Sequence, residues 1–164
     1  MRTTIVVLLA LACALDAEAQ VPYIVGSWQL NVAASRLPGP PPRMHVRRYS
    51  VDADGTLVGL AIWVDANGNP NFLQFAAKPD GKDYAEYNSQ MLAALQIGNA
   101  HSRATYSETP IDSHTVEWVD KFDGRIITSG KKWVSTDGKT LSFTSKVKNA
   151  EGKELEFLYV FDRQ

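Results

Sequence analysis

The chain carries near its start the segment Gly26-Ser27-Trp28-Gln29-Leu30-Asn31, and it closes with Leu155-Glu156-Phe157-Leu158-Tyr159-Val160-Phe161-Asp162-Arg163. The first segment presents a tryptophan in a short strand-like run. The last alternates aromatic and polar residues and ends on a single arginine. A first and a last strand of this kind predict a sheet whose two edges meet, which is how a small β-barrel closes.

Strand-like runs separated by polar turns fill the chain between these two segments. The turns are marked by the pairs Asp54-Gly55, Asn67-Gly68, Asp80-Gly81, Asp123-Gly124, Asp137-Gly138 and Glu151-Gly152. Turns at intervals of roughly ten residues favour an antiparallel meander over βαβ units. We predict an all-β fold, a single antiparallel up-and-down β-barrel of about eight to ten strands.

One segment interrupts the β pattern. Met91 to Ile97 lacks β-branched alternation and is rich in helix-forming residues. Ser89 is a suitable N-cap and Gly98 stands at the usual C′ position. We predict a short helix near residues 90–97, which either plugs one end of the barrel or forms a mobile lid over a cavity mouth.

The N-terminus has the features of a secretory signal peptide. Ile5 to Leu15 is apolar but too short to span a bilayer, and Ala17-Glu18-Ala19 fits a small-x-small cleavage site. We expect residues 1–19 to be removed, leaving a barrel domain of residues 20–164 in the periplasm or outside the cell, with no integral membrane span. A lipoprotein anchored at Cys13 is the less favoured alternative.

The composition of the mature chain argues against several kinds of partner and functional site. Without the leader its charge is near zero and no block of like charge stands out, so neither a nucleic-acid partner nor an anionic membrane surface is indicated. No cysteine remains for a disulfide or thiolate site. His45, His101 and His114 lie far apart without metal-ligand spacing, and no phosphate loop or nucleophile elbow occurs, so we expect neither a metal nor a cofactor.

The chain resembles the calycin superfamily, and in particular secreted bacterial lipocalin-like proteins of largely unassigned function. The resemblance rests on Gly26-x-Trp28, on Arg163 at the end of the last strand, and on the segments Asp80-Gly81-Lys82-Asp83-Tyr84 and Ser135-Thr136-Asp137-Gly138-Lys139. It implies that Arg163 stacks on Trp28 to close one end of a barrel, and that a central cavity binds small apolar molecules. The segment from Ser89 to Ala104 departs from the family pattern.

The predicted strands supply an aromatic pocket with a few polar anchors. Lys131 shares a face with Trp133, and one of Arg47 and Arg48 must point inward, where a cation would neutralise a carboxylate ligand. Each of these residues could instead be ordinary core. The candidate ligand-binding residues are Arg48, Trp63, Tyr84, Tyr87, Met91, Leu95, Tyr106, Trp118, Lys131 and Trp133.

Three residues are candidates for catalysis. Asp120 shares a strand face with Trp118 and Phe122, so an inward Asp120 would lie in apolar surroundings that raise its pKa. His101 follows the predicted helix and would overhang the mouth as a base, with Tyr49 as a further candidate. The alternatives are an Asp120 that meets water or pairs with Arg48 or Lys131, and an exposed loop histidine.

Three functions follow from these features. The leading one is a barrel that binds a small hydrophobic or aromatic molecule. The second is a cofactor-independent isomerase, cyclase or lyase that uses proton transfer in the same cavity. The third is a filled barrel that acts as an interaction module, because both faces of the strand Thr56 to Val64 are apolar and could pair two subunits.

Overall fold

The computed structural model describes residues 21–99, 101 and 103–164, and the predicted signal peptide and Cys13 lie outside them. Two short helices and ten strands make up this part of the chain. Their bounds are α1 Val21–Ile24, β1 Gly26–Leu30, β2 Met44–Val51, β3 Leu57–Val64, β4 Pro70–Ala77, β5 Tyr84–Asn88, α2 Ser89–Gln96, β6 Ala104–Pro110, β7 Thr115–Phe122, β8 Arg125–Val134, β9 Thr140–Lys148 and β10 Glu154–Arg163.

The strands form one closed antiparallel barrel. Each strand pairs with its neighbour in the chain, and β1 pairs with β10 to complete the ring. The predicted all-β, up-and-down barrel with a short helix near residues 90–97 is thus confirmed, at the upper end of the expected strand number, and the single turn of α1 is an addition that was not predicted. Because every strand has a partner on both sides, the closed ring leaves no exposed sheet edge.

The two ends of the chain meet at Trp28 and Arg163, which are paired across β1 and β10. The guanidinium of Arg163 lies 4.2 Å from the centre of the Trp28 ring, and Trp28 is completely buried. Gly26, with a φ of 135°, is required here, since a Cβ atom on it would come within 2.6 Å of the Arg163 side chain. This contact shuts the end that we call the closed end.

The connections divide between the two ends of the barrel by simple alternation. Residues 52–56, 78–83, 111–114 and 135–139 lie at the closed end, together with α1. Residues 31–43, 65–69, 89–99, 101, 103, 123–124 and 149–153 lie at the opposite end, which we call the open end. The proline run that begins at Pro38 belongs to the first of these open-end connections.

Helix α2 lies beside the barrel wall. Its N-cap is Asn88, whose side chain accepts a 2.8 Å hydrogen bond from the Met91 amide. The expected N-cap, Ser89, instead accepts a 3.0 Å hydrogen bond from the Phe72 amide of β4. This bond holds the start of the helix against the wall. None of the residues of α2 is buried. The expectation that α2 plugs the barrel is therefore wrong.

The outer face of β3 is apolar, as its sequence indicates, and α2 covers part of it. Leu92 and Ala93 of the helix border a groove with Ile62 of β3 and Phe72 of β4. Ile62 and Leu92 nevertheless remain about two-fifths exposed.

Neither helix of the described chain has the length and the hydropathy needed to cross a membrane.

Candidate ligand cavity

A cavity of about 310 Å³ opens inside the barrel at its open end. Its entrance is bordered by the proline segment and by the β3–β4 turn, through Leu37, Pro38, Pro40, Pro42, Asp65 and Ala66. The wall is largely aromatic, with Trp63, Trp118, Phe143 and Tyr159. A further space of about 40 Å³ lies against Phe75, Tyr106 and Lys132 and shares Arg47 and Asp120 with the main cavity. The volume is within the range of small-molecule sites.

Strand β2 contributes the first cation of the cavity. Its buried residues His45 and Tyr49 fix the inward face, so Arg47, which stands between them, also points inward. Arg48 points to the outside and is exposed, so the prediction that it binds ligand named the wrong member of the pair. The Arg47 Nη1 atom donates a 3.1 Å hydrogen bond to the Tyr49 hydroxyl, and the guanidinium lies 4.3 Å from the centre of the Phe143 ring.

The inward-facing lysine of strand β8 differs from the predicted one. Lys131 was expected inside the barrel, but it is exposed, and the buried residue is Lys132. The reason is the pairing of Val134 with Leu141, which places both side chains in the core and sets the alternation of β8 back to Thr128, where the pairing with β7 becomes irregular. Trp133 consequently lies on the outer side and is only half-buried.

Lys132 belongs to a polar trio with Glu108 and Tyr106 on the inner wall. The Lys132 ammonium contacts the Glu108 carboxylate, and the Tyr106 hydroxyl donates to the same oxygen. Lys132 also contacts the Tyr106 hydroxyl at 2.9 Å and lies 5.1 Å from the centre of the Tyr49 ring. All three residues of the trio are buried. Since its charges neutralise each other, the trio is a satisfied structural network.

Asp120 and Glu86 form a pair of buried carboxyl groups beside the cavity. Burial raises the pKa of Asp120 well above its usual value, and the charge of Glu86 and a hydrogen bond to it raise that pKa further. Burial also raises the pKa of Glu86, although hydrogen bonds from Asn88 and Asp120 oppose the shift. Two adjacent carboxylates repel each other at short range, so the pair keeps a proton on Asp120.

The Asp120 side chain lines the cavity, as an inward Asp120 was expected to do, and Glu86 lies behind it. The Asn88 amide donates a 2.5 Å hydrogen bond to Glu86 Oε1. Glu86 Oε2 and Asp120 Oδ1 are fully buried and receive no hydrogen bond from an N–H or O–H donor of the described residues. A proton held between the two carboxyl groups satisfies both atoms without another donor.

Arg47 remains a cation in this setting. Burial acts to lower its pKa, but Tyr49, Tyr106 and Asp120 act in the opposite direction and the net shift is upward. His45, by contrast, is neutral: burial and the charge of Arg47 lower its pKa to about 3. His45 packs edge-on against Phe161, with 4.9 Å between the ring centres. The cavity thus combines a fixed cation with a neutral imidazole.

Three polar atoms of the cavity residues have no hydrogen-bond partner among the residues that the structure describes. Besides Asp120 Oδ1, described above, they are Arg47 Nε, Trp118 Nε1 and His45 Nε2, and each is fully buried. Arg47 and Trp118 are obligatory donors at these positions. Buried polar groups are normally paired, because an unpaired one costs about 1–3 kcal/mol. The side chains that carry these atoms line one cavity, so an acceptor supplied by a ligand there could satisfy them after a small shift of the side chains.

The remaining predicted residues divide between the cavity and the outer surface. Trp63 and Trp118 line the cavity, and Tyr106 lies in its deeper part. Tyr49 packs in the core beside Arg47. Five residues do not line the cavity: Tyr84, whose hydroxyl donates to Asp80 at 3.0 Å, the exposed Tyr87, Met91 and Leu95 on α2, and the exposed His101.

Four residues central to the site were not among the candidates: Arg47, Glu86, Glu108 and Lys132. Signals for two of them were present, since Arg47 shares the strand face of Tyr49 and Glu108 shares that of Tyr106.

The described residues contain no cluster of three or more histidine, cysteine, aspartate or glutamate residues that could hold a metal.

Comparisons with known proteins identify no family. No protein-family model matches the chain, and no curated protein matches it. Among solved structures, a redesigned β-barrel matches with a TM-score of 0.49 and 11% sequence identity, covering 89% of this chain and 96% of the other. The barrel is compatible with a calycin-like architecture, and the site has to be interpreted from its own residues.

Proposed function

We propose that this protein binds a small aromatic or apolar molecule that carries a carboxylate or carbonyl oxygen. The observation that supports this proposal is the pair of unpartnered donors, Arg47 Nε and Trp118 Nε1, in an aromatic-walled cavity of about 310 Å³. The aromatic walls would bury the apolar part of the ligand. Its oxygen would accept hydrogen bonds from the two donors, and the Arg47 charge would strengthen them.

The protonated Asp120 adds to this preference. A neutral carboxyl group can donate a hydrogen bond, whereas an ionised one next to the cavity would repel an anionic ligand. Glu108 and Lys132 neutralise each other, so Arg47 is the cation without an ion-pair partner among the described cavity residues. The carboxyl pair keeps a negative charge that acts on Arg47, but Arg47 forms no ion pair with it, so the guanidinium stays available to an electron-rich oxygen of a ligand.

The test is a calorimetric titration with 2-naphthoate, an aromatic carboxylate, and with 2-naphthamide, its uncharged analogue. We expect wild-type protein to bind both probes, the carboxylate more tightly. Arg47→Met should weaken 2-naphthoate binding by at least about tenfold, equivalent to about 1.4 kcal/mol, and should affect 2-naphthamide less. Arg48→Met is the matched control, because it removes the same charge from the outer face one residue away.

Two results would contradict the proposal. The first is the absence of binding of either probe to a folded wild-type protein. The second is an equal loss of 2-naphthoate affinity in Arg47→Met and Arg48→Met, which would show a nonspecific charge effect outside the cavity.

The carboxyl pair supports a second candidate function, cofactor-independent proton transfer of the kind used by isomerases, cyclases and lyases. In the ionised state of the pair, Asp120 would accept a proton from a carbon next to a ligand carbonyl, and Arg47 would stabilise the resulting enolate oxygen. The raised pKa of Asp120 is suited to a group that both accepts and donates a proton.

This second candidate can be tested without knowing the substrate. Proton NMR in D₂O would follow exchange of the methyl protons of 2-acetylnaphthalene, which carries a carbonyl of the required type. Proton-transfer catalysis predicts that wild-type protein accelerates exchange and that Asp120→Asn abolishes the acceleration. Bound probe with no acceleration at any pH would leave binding as the function.

A further inference from the structure

We propose that the open end of the barrel docks on a lipid bilayer, with the tip of α2 and the start of β8 inserted among the lipids. The proposal begins from the distribution of large apolar side chains on the surface. Eleven of them are exposed among the described residues. Nine lie on connections of the open end or within two residues of the strand ends that carry them: Val32, Met44, Ile62, Tyr87, Leu92, Leu95, Ile97, Ile126 and Ile127. Only Tyr23 and Ile111 lie at the closed end.

The segment around α2 is suited to an apolar environment. From Asn88 to Asn99 it contains no charged residue, and no residue of the helix itself is buried. Ile97, just after the helix, is 85% exposed. A surface helix in water usually carries charges on its outer side, whereas insertion among lipids penalises them. An uncharged and unburied helix is therefore better matched to a membrane interface than to water.

A second apolar tip lies at the same end of the barrel. Ile126, 64% exposed, follows the β7–β8 turn. Two hydrogen bonds hold that turn to the chain that follows α2: the Arg103 amide donates to Asp123 Oδ1, and the Asp123 amide donates to the Arg103 carbonyl, both at 2.8 Å. Both apolar tips therefore belong to the open end, and the turn that carries Ile126 is held to the start of β6.

Basic residues accompany these tips. Arg103 and Arg125 are exposed and flank the β7–β8 turn, and Arg43 is exposed beside the cavity entrance. Arginines at the border of an apolar patch contact anionic headgroups, which adds an electrostatic contribution to insertion. This complementarity favours a lipid surface over a second copy of the chain, whose open end would carry the same arginines.

The cavity entrance lies at the same end, between the proline segment and the β3–β4 turn. Docking in this orientation would let an apolar ligand pass between the membrane and the cavity with little exposure to water. The docking surface and the cavity consist of different residues, so membrane docking and ligand binding can be lost independently of each other.

The test is flotation of the purified protein with vesicles of phosphatidylcholine, alone or mixed with phosphatidylglycerol. We expect wild-type protein to float with both and more strongly with the anionic mixture. Ile97→Asp combined with Ile126→Asp should lower the partition coefficient at least tenfold. Ile111→Asp, at the closed end and 49% exposed, is the matched control and should have no effect. Titration of the same variants with 2-naphthoate separates this proposal from ligand binding.

Three outcomes would overturn the proposal. The first is wild-type protein that does not float with either vesicle. The second is equal loss of flotation in the Ile111→Asp control. The third is a lipid-free dimer, measured by sedimentation equilibrium, that the Ile97→Asp and Ile126→Asp substitutions dissociate; in that case the apolar edge is an interface between two copies.

Discussion

The closed end and the cavity each place a cation and a tryptophan among aromatic side chains, yet they differ in hydrogen bonding. At the closed end, Trp28 Nε1 donates to the Ile24 carbonyl at 2.8 Å, and Arg163 donates to the carbonyls of Tyr23 and Val25 at 2.6 and 2.7 Å. In the cavity, Trp118 Nε1 and Arg47 Nε have no partner among the described residues.

This difference separates structural residues from candidate ligand-binding residues. A polar group that the protein satisfies by itself contributes to stability, and its removal leaves a partner unsatisfied. A buried polar group that the protein leaves unsatisfied lowers the stability of the free protein but is available to a ligand. The same residue types therefore have opposite expected effects at the two places, and mutations can test this directly.

The largest expected effect is at the polar trio, the satisfied network nearest to the cavity. Lys132→Met should lower the free energy of unfolding by about 3–5 kcal/mol, because it leaves the buried Glu108 carboxylate without its cation. Urea unfolding measures the loss. Adding Glu108→Gln should restore part of the stability, because no buried charge then remains. Strictly additive costs in a double-mutant cycle would show that the trio is not a coupled unit.

A smaller effect is expected from His45, through which acidification lowers the free energy of unfolding. Its folded pKa of about 3 lies below the unfolded value of about 6.5, so the unfolded state takes up a proton first. The contribution of this pKa difference to folding stability is fully present above pH 6.5 and is lost as the pH falls toward about 3. At about pH 4.5 the loss attributable to His45 is about 2–3 kcal/mol.

The variant His45→Phe isolates this contribution, because it keeps the aromatic contact with Phe161 and removes the titrating ring. Its free energy of unfolding should fall less than that of the wild type between pH 7 and about pH 4.5. Parallel pH profiles for the two proteins would contradict the buried, neutral state of His45. Exposed turn aspartates such as Asp65 and Asp112, whose pKa values are lowered by hydrogen bonds, titrate equally in both proteins and cancel in the comparison.

The fold could be predicted from the sequence because its signals are local. The Asp-Gly and Asn-Gly pairs mark turns by their own conformational preference, and the strands between them are long enough to show alternation. Trp28 and Arg163 lie at opposite ends of the chain, and the prediction that their strands meet needed only the closure of an antiparallel sheet. The position of α2 beside the wall depends on a tertiary bond from Phe72 to Ser89, which no local pattern records.

The site was predicted less well because alternation defines two strand faces without saying which one is inside. In β8 the adjacent residues Lys131 and Lys132 offer one lysine to each face, and only the pairing of Val134 with Leu141 decides between them. In β2 the choice between Arg47 and Arg48 could have been made, since Arg47 shares its face with Tyr49. Glu86 and Glu108 were missed because an isolated glutamate in a strand is usually solvated.

The smallest expected effect comes from making the same substitution at the two tryptophans. Trp28→Phe removes the hydrogen bond to Ile24 and weakens the contact with Arg163, and should cost about 2 kcal/mol of unfolding free energy. Trp118→Phe removes a donor without a partner, and should cost less than about 1 kcal/mol while weakening 2-naphthoate binding. Urea midpoints at unchanged m-values measure both costs. If the two substitutions destabilise equally, the donors at the closed end and in the cavity are equivalent, and Trp118 loses its proposed role in ligand binding.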